Sequence, residues 1–589
     1  MTWTPAVVRL VTLIVPVSVI AAMQAFGRGL PVTGDEPEYV YYAYSFFVRH
    51  DFAMPVATFF AAFPRLAGIP PENLQGHGHP VLLSILGSPF VGYLGIPGAR
   101  LFSVGCGLVG FVAIRRLIAG FAGINIATLV SLFIFVTFPV LAYLHLFYTD
   151  MTIMAVVAWA WLLIQSSRSA SLLIATALAV TLPFLHIRMS LVAAWLVLLV
   201  VASALRKTAR GRVRLIAGVA CIAAAALAGF VWHQYVLFGS LIGGASTPEP
   251  VSFVGYFARL ALQALDFRHG LITYNPAMIL AFAGLVIGVV SRSRLAIEGS
   301  GLILIYSVCF VFGAASESFP ARFWVPGMPA LAVGLGLWLR HARSVSAYLS
   351  GGLLGAMSLL NLAVYLRDPV AFLGNRQASL TYDNLFDVFP YLDLAGLFPW
   401  DGFNYAAHGV EPHPEISLPI LAGASAVAVL LVAAFVLEAV MRRGRRLVAL
   451  LPPIVLLVPF WYALMRPVPA SAVQVVRSGG DNQQPGTILI RFCKPIDAAL
   501  IRFFGQPRAL MRPPSYPNEL LVEGSSDGIN FHVVERYPMS PVIVLPREPL
   551  QAIRLSAITT PQNHGWTDDR VSVLMKGGLP KCGASSVQP

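Results

Sequence analysis

The stretch 171–214, SLLIATALAVTLPFLHIRMSLVAAWLVLLVVASALRKTARGRVR, decides how this chain folds. Read as one apolar helix, it would carry Arg206, Lys207, Arg210, Arg212 and Arg214 to the face opposite the other arginine clusters. Positive residues between apolar spans stay in the cytoplasm. The segment must therefore turn back at Leu182-Pro183-Phe184-Leu185-His186-Ile187-Arg188, giving two short spans, 171–184 and 188–205.

The pattern extends outward from there. Apolar runs of about 17 residues or more, each long enough to cross the hydrocarbon as a helix, recur from Ala6 to Leu464. Of the 589 residues, 57% are hydrophobic and 11% charged, far below the charge content of a soluble chain. No backbone crosses lipid unpaired, so these runs are helices. The formal charge of +13 sits in short gaps: Arg115-Arg116, Arg168, Arg206–Arg214, Arg292–Arg294, Arg340–Arg343 and Arg442–Arg446. Basic residues placed this way set membrane orientation, and no basic face with interleaved aromatics points to nucleic acid.

Spans are expected at 6–26, 98–118, 122–144, 150–167, 171–184, 188–205, 213–236, 275–291, 299–316, 323–340, 346–366, 416–440 and 447–465. With the N-terminus inside, about thirteen transmembrane helices place every arginine cluster in the cytoplasm and the C-terminus outside. The stretch 79–94 is apolar, but as a crossing it would throw Arg115-Arg116 outside, so it is expected to lie at the membrane surface or re-enter. Loops 27–79, 237–274 and 367–415 then face the outer compartment. The first span lacks a small-residue cleavage site and is expected to be retained.

After Arg466-Pro467 the character changes. Short β-type runs (Gly486–Cys493, Glu519–Gly524, His532–Glu535, Pro541–Leu545, Ala552–Ser556) alternate with Gly, Pro, Asn and Asp turns, which predicts a small periplasmic β-sandwich. The expected fold is thus an all-α polytopic membrane domain, 1–466, with a first outer loop at 27–97, followed by a β-sandwich domain, 467–589. Cys493 and Cys582 are the cysteines of that second domain, either bridged in an oxidising compartment or two free thiols. Cys106, Cys221 and Cys309 fall in spans, where a small buried residue is expected.

Several groups can carry chemistry. Thr33-Gly34-Asp35-Glu36-Pro37-Glu38-Tyr39 packs three carboxylates into four residues ahead of the aromatic run Tyr39-Val40-Tyr41-Tyr42-Ala43-Tyr44. Mutual repulsion raises carboxylate pKa values, and one of the three can act as a general base. The same residues also suit a helix start, with Asp35 as N-cap and Pro37 early. Asp150 follows Phe147-Tyr148-Thr149 and is either another N-cap or an acid at the mouth of a span. His186 and Arg188 lie in one short outer turn and Arg322 in another, Ser316-Glu317-Ser318-Phe319-Pro320-Ala321-Arg322. Arginines there run against the positive-inside bias, and an anion such as phosphate accounts for them, as does a lipid headgroup or a Glu317–Arg322 pair. Gly76-His77-Gly78-His79-Pro80 offers two imidazoles without spaced partners.

The acidic pair Asp35-Glu36 after the first span, the surface stretch, the many spans and the outer tail together resemble glycosyltransferases of the C superfamily, in particular the lipid-A aminoarabinose transferase and protein O-mannosyltransferase group. The resemblance covers most of 1–466. It implies transfer of a sugar from a polyprenyl-phosphate donor to a glycan, lipid or protein acceptor outside the cytoplasm, with membrane lipids around it. Asp35 would match the acid that deprotonates the acceptor, and Glu36 the residue that positions acceptor or metal. Asp150 would match the second acid, and Tyr39 would line the substrate site. Arg188, His186 and Arg322 would contact phosphate, the last within Arg322-Phe323-Trp324-Val325-Pro326. Relatives often carry lysine before Pro-Pro where His79-Pro80-Val81 stands here, a departure at the residue expected to meet phosphate. A divalent metal is the cofactor candidate, with Glu36, His77 and His79 as its possible ligands.

In the tail, Leu521–Phe531 resembles the strand–turn–strand of discoidin-like carbohydrate-binding sandwiches. The carrier chemistry and the lack of a eukaryotic retention signal point to a bacterial inner membrane. The competing class is a membrane transporter or lipid-linked sugar flippase, which needs ionisable groups deep in spans or repeated halves; the sequence shows neither.

Overall fold

The computed structural model describes residues 16, 18, 35–67, 69, 71–74, 81–166, 168–238, 253–266, 270–310, 321–367, 417–441, 448–463, 466–467, 473–478, 487–496, 498–504, 519–538, 542–544, 549–559 and 570–575. Nearly all of the first expected span, His77, His79, Glu317, Cys582 and most of the loop 367–415 lie outside the described residues.

The chain divides into a largely helical unit and a unit containing the β-strands. We number the longer helices α1 Glu36–Arg49, α2 Leu82–Ala122, α3 Ile124–Val136, α4 Thr149–Ile164, α5 Ser169–Ala179, α6 Ser190–Leu205, α7 Ala209–Phe238, α8 Phe253–Leu265, α9 Met278–Val290, α10 Arg294–Phe310, α11 Met328–His341, α12 Val345–Arg367, α13 Ser417–Val440 and α14 Leu451–Ala463. Among the described residues, Leu82–Ala122, Ile187–Leu205, Gly211–Val236, Val345–Ala363 and Leu421–Val440 are long and apolar enough to cross a membrane. Ile124–Val136, Thr149–Ile164, Ser169–Leu185 and Met278–Val290 are apolar but shorter.

The turn-back in 171–205 is observed. A four-residue helix, Leu182–Leu185, and a 3-10 turn, Ile187–Met189, separate α5 from α6, and those two helices pack against each other. The stretch expected at the surface, 79–94, differs in its ending. It forms helix from Leu82 and runs into the span expected at 98–118 through a break at Gly95, whose φ of 66° and ψ of −146° lie outside the helical region. Glycine reaches that φ without a Cβ penalty, and Pro97, two residues on, cannot donate to a helical hydrogen bond.

The centre of the helical unit is closed by the pair α9 and α11. A Cβ on Gly284 would run into the Gly334 carbonyl, and one on Gly334 into the Ala281 carbonyl, so the two backbones touch. Small residues permit such an approach where lipid supplies no hydrophobic drive between helices. At one end of the bundle the buried Glu298 side chain accepts from Trp161 Nε1 at 2.8 Å and Gln165 Nε2 at 2.7 Å, and pairs with Arg294.

The β-strands form two antiparallel sheets, ordered β1-β9-β4-β7 and β2-β3-β8-β5-β6. The second holds β2 Val473–Ser478, β3 Thr487–Ile496, β5 Glu519–Ser525, β6 His532–Pro538 and β8 Leu550–Thr559. Its pairing sets Ile488 opposite Leu555 and Ile490 opposite Ile553, all four fully buried or nearly so, as the two-residue period of a half-buried strand requires. The first sheet holds β1 Arg466–Pro467, β4 Ala498–Phe504, β7 Val542–Val544 and β9 Arg570–Met575. Cys493 is in a disulfide.

Candidate functional site

The acidic motif opens α1. Pro37 enters early in the helix, Glu36 and Glu38 occupy the first turn where the helix dipole favours carboxylates, and His50 in the left-handed region ends it. The helix is buried all round at Tyr39, Val40, Tyr41, Tyr42 and Ala43, and the Tyr41 hydroxyl donates to the Met54 carbonyl. The Ser84 hydroxyl of α2 donates to the Tyr39 carbonyl at 3.1 Å, tying α1 to α2.

Asp35 stands at the N-cap position, yet its side chain makes no cap hydrogen bond. Asp150 is not a cap at all: α4 starts one residue earlier, at Thr149, with Tyr148 before it. Both carboxylates instead converge on Arg322. Arg322 Nη2 lies 2.9 Å from Asp35 Oδ2, and Arg322 Nε donates to Asp150 Oδ2 at 3.3 Å. The guanidinium also lies 4.4 Å from the centre of the Tyr148 ring, a cation–π contact. Side-chain exposure is 26% for Asp35, 10% for Arg322 and 8% for Asp150, so Asp35 is the open corner of this triangle. Arg322 begins a 3-10 turn, Arg322–Gly327, that packs on α4 and leads into α11.

Glu36 points elsewhere and is fully buried. Its carboxylate accepts from Arg100 Nε and Nη2, each at 3.3 Å, and from the Phe147 backbone N–H at 3.1 Å. A carboxylate so occupied ties α1 to α2 and to the loop 144–148. The same loop carries Tyr148 into the Arg322 contact and leads directly to Asp150. Tyr39 packs edge-on against both Phe147 and Tyr148, with ring centres 6.4 and 6.2 Å away. Burial, then the Asp35 charge, pushes its phenol well above the ordinary tyrosine range, so it stays neutral. A second buried pair lies nearby: the Tyr365 hydroxyl of α12 is 2.7 Å from His145 Nε2.

The remaining expected residues are placed as follows. His186 and Arg188 sit half-buried at the turn between α5 and α6, where His186 Nδ1 accepts the Arg188 backbone N–H at 3.2 Å. That turn packs against α6 and α10. Among the described residues no group of three or more His, Cys, Asp or Glu is arranged to hold a metal ion. Arg100, His145 and Tyr365 were not singled out in the sequence. Arg100 had a signal: it begins an expected span at the outer end, against the positive-inside bias, the same criterion that marked Arg188 and Arg322.

In the β-unit, the turn between β5 and β6 is organised by Asp527. Its Oδ1 accepts from the Ser525 hydroxyl and the Ile529 and Asn530 N–H groups, each at 2.8 Å, and its Oδ2 from the Asn530 amide at 2.7 Å. Beside it Arg554 pairs in fork geometry with Glu523 across β5 and β8, both bonds at 2.6 Å, and lies 4.4 Å from the centre of the Phe531 ring. The residues that resemble a carbohydrate-binding strand–turn–strand are thus largely engaged with one another.

No protein-family model and no curated protein matches the chain. Among solved structures, it is similar to ArnT from Cupriavidus metallidurans in the apo state, at 15% identity and a TM-score of 0.44 over 78% of this chain and 76% of that one. Bound to undecaprenyl phosphate, ArnT from the same organism gives 16% identity, a TM-score of 0.41 and the same coverage. A carbohydrate-binding module, CBM32-3 from a family 31 glycoside hydrolase of Clostridium perfringens, aligns with 18% of this chain and 76% of its own length at 19% identity and a TM-score of 0.14.

Proposed function

We propose that this chain is a membrane glycosyltransferase that moves a sugar from a polyprenyl-phosphate donor to a glycan, lipid or protein acceptor on the non-cytoplasmic side. The observation that supports this reading is the convergence of Asp35 and Asp150 on Arg322, from three segments far apart in sequence. Local sequence offered both acids a capping role, and neither carboxylate takes it. Charged groups concentrated at helix ends, beside a partly open carboxylate, suit chemistry on a substrate whose lipid tail lies in the bilayer.

The reaction is a single inverting displacement. Asp35 accepts the proton of the acceptor hydroxyl as that oxygen forms its bond to the anomeric carbon. The bond from that carbon to the phosphate oxygen breaks, and its electron pair leaves with the carrier phosphate. Arg322, with Arg188, His186 and His79 as further candidates, stabilises the charge that builds on the phosphate. Glu36 serves the reaction through Arg100 and the Phe147 N–H by holding α1 and the loop 144–148 in register. Tyr39 forms a neutral wall beside the acid.

Sugar transfer by purified protein from labelled polyprenyl-phosphate sugars tests this. Asp35→Asn should lose about 10²–10⁴-fold in turnover while still binding carrier, the usual contribution of a positioned base. Full activity in Asp35→Asn would remove Asp35 from the mechanism and leave Asp150 as the acid to examine. Absence of transfer from every donor by the wild type would refute the transferase.

A further inference from the structure

Arg322 cannot serve the base and the leaving group with the same N–H groups. The side chain faces Asp35 with Nη2 and Asp150 with Nε, and its flat face covers Tyr148. A carboxylate paired to a guanidinium at 2.9 Å has its charged form stabilised, and is a weaker proton acceptor than one without that partner. The arrangement in hand is therefore unsuited to the first step of transfer. It is, however, well suited to being opened by an anion. The guanidinium fork matches phosphate oxygens at least as well as it matches a carboxylate. The two contacts are also unequal in access: Asp35 is 26% exposed and Asp150 only 8%. A ligand entering from the open side meets the Asp35 contact first, while the Asp150 contact and the Tyr148 ring keep the arginine tethered.

Resting on the carrier reading above, we propose that Arg322 is a latch on Asp35 that the donor's phosphate opens. Phosphate draws the guanidinium off Asp35, Arg322 turns about its Asp150 contact, and the released carboxylate then faces the acceptor hydroxyl. One event supplies both the cation for the leaving group and the base for the nucleophile. Acceptor deprotonation then waits for the donor.

Competition of this kind is a thermodynamic coupling between Asp35 and phosphate, measurable without turnover. Binding of a polyprenyl phosphate lacking sugar is measured for the full-length protein in nanodiscs. The variants are Asp35→Asn, Arg322→Gln and the two combined, with Arg322→Met as the second choice should Arg322→Gln fail to fold. Asp35→Asn should bind the carrier about tenfold more tightly than wild type, in the usual range of such couplings. In the Arg322→Gln or Arg322→Met background the same change should gain about twofold or less. An equal gain in both backgrounds means that Asp35 merely repels the phosphate, and overturns the latch. So does a wild-type affinity that Asp35→Asn leaves unchanged or weakens. Either result leaves the transferase standing if the wild type still transfers sugar. A wild type that binds no polyprenyl phosphate overturns the carrier reading and the latch together.

Discussion

Replacing Glu36 by alanine should be among the most damaging single changes in the helical unit, and the size follows from what the carboxylate holds. It is fully buried, pairs with both Nε and Nη2 of Arg100, and accepts the Phe147 N–H. Its removal leaves the Arg100 guanidinium, itself only 15% exposed, without its charge partner, and leaves a buried N–H without its acceptor. Breaking one side of a buried ion pair costs about 3–5 kcal/mol, and an orphaned buried N–H adds about 1–3 kcal/mol where water cannot reach it. Arg100→Ala should cost a similar amount by stranding Glu36. Removing both charges together is different. In Glu36→Gln with Arg100→Met, the glutamine oxygen still meets the Phe147 N–H and no unpaired charge remains, so the loss should shrink to about 1–2 kcal/mol. The assay is the unfolding midpoint of the purified protein in a dodecylmaltoside–SDS titration, run for both single variants and the pair. Additive losses in the double variant would refute the buried anchor, as would a Glu36→Ala protein within about 1 kcal/mol of wild type.

Gly284→Val would force α9 and α11 apart at their backbone contact and should destabilise by about 1–3 kcal/mol, read in the same titration. Burial, then the Arg100 charge, pushes His145 down to about 3, so it is neutral in the folded protein. The unfolded chain takes up that proton below about 6.5, so this contribution to stability is complete above that pH and declines as pH falls toward 3; His145→Gln should flatten the acid side of the stability profile. In the β-unit, the Asn530 and Ile529 N–H groups hold the Asp527 carboxylate well below the usual range. Its contribution is present above the unfolded value and lost only in strong acid, so Ile529 and Asn530 should resist amide exchange at mildly acidic pH in wild type and lose that protection in Asp527→Ala.

What the sequence reveals of this protein divides by the range of the forces involved. The turn-back at Leu182–Met189 follows from two local facts, an apolar run too long for one crossing and an arginine cluster that must stay on one side. The strands at Thr487–Ile496, Glu519–Ser525 and Leu550–Thr559 follow equally from alternation and turn residues. Strands β2, β4 and β9 escaped because their pattern is short or mixed, and pairing with neighbours distant in sequence stabilises them. The acids were legible as residues, since carboxylates at helix starts are few in so apolar a chain. Their partners were not. Local rules give Asp35 and Asp150 capping roles, and only the packing of Arg322–Gly327 on α4 brings a guanidinium to both carboxylates. Glu36 shows the same limit: sequence places it beside Asp35 as a residue positioning acceptor or metal, and its long-range partner Arg100 is not legible there.

Charge accounting at the site limits what its ligand can be. Among the described residues, two sets of ion pairs meet here, Glu36 with Arg100 and Asp35 and Asp150 with Arg322, and Glu38 is buried in the same first turn of α1. Glu36 and Arg100 neutralise each other in a buried pair and are unavailable to a ligand. Asp35, Asp150 and Arg322 remain, with one net negative charge, and a phosphate brought against that triangle as it stands would be repelled. Two things reverse the balance: cations from other segments, for which Arg188, His186 and His79 are the candidates, and movement of Arg322 from a carboxylate to the phosphate. The first adds attraction but leaves Asp35 paired and poorly basic. The second supplies a cation to the leaving group and releases the base in the same motion. Under the carrier reading, the donor presents its anionic group next to the carbon under attack, where a displaced Arg322 would meet it. A neutral substrate would leave Arg322 where it lies, with Asp35 held in its ion pair.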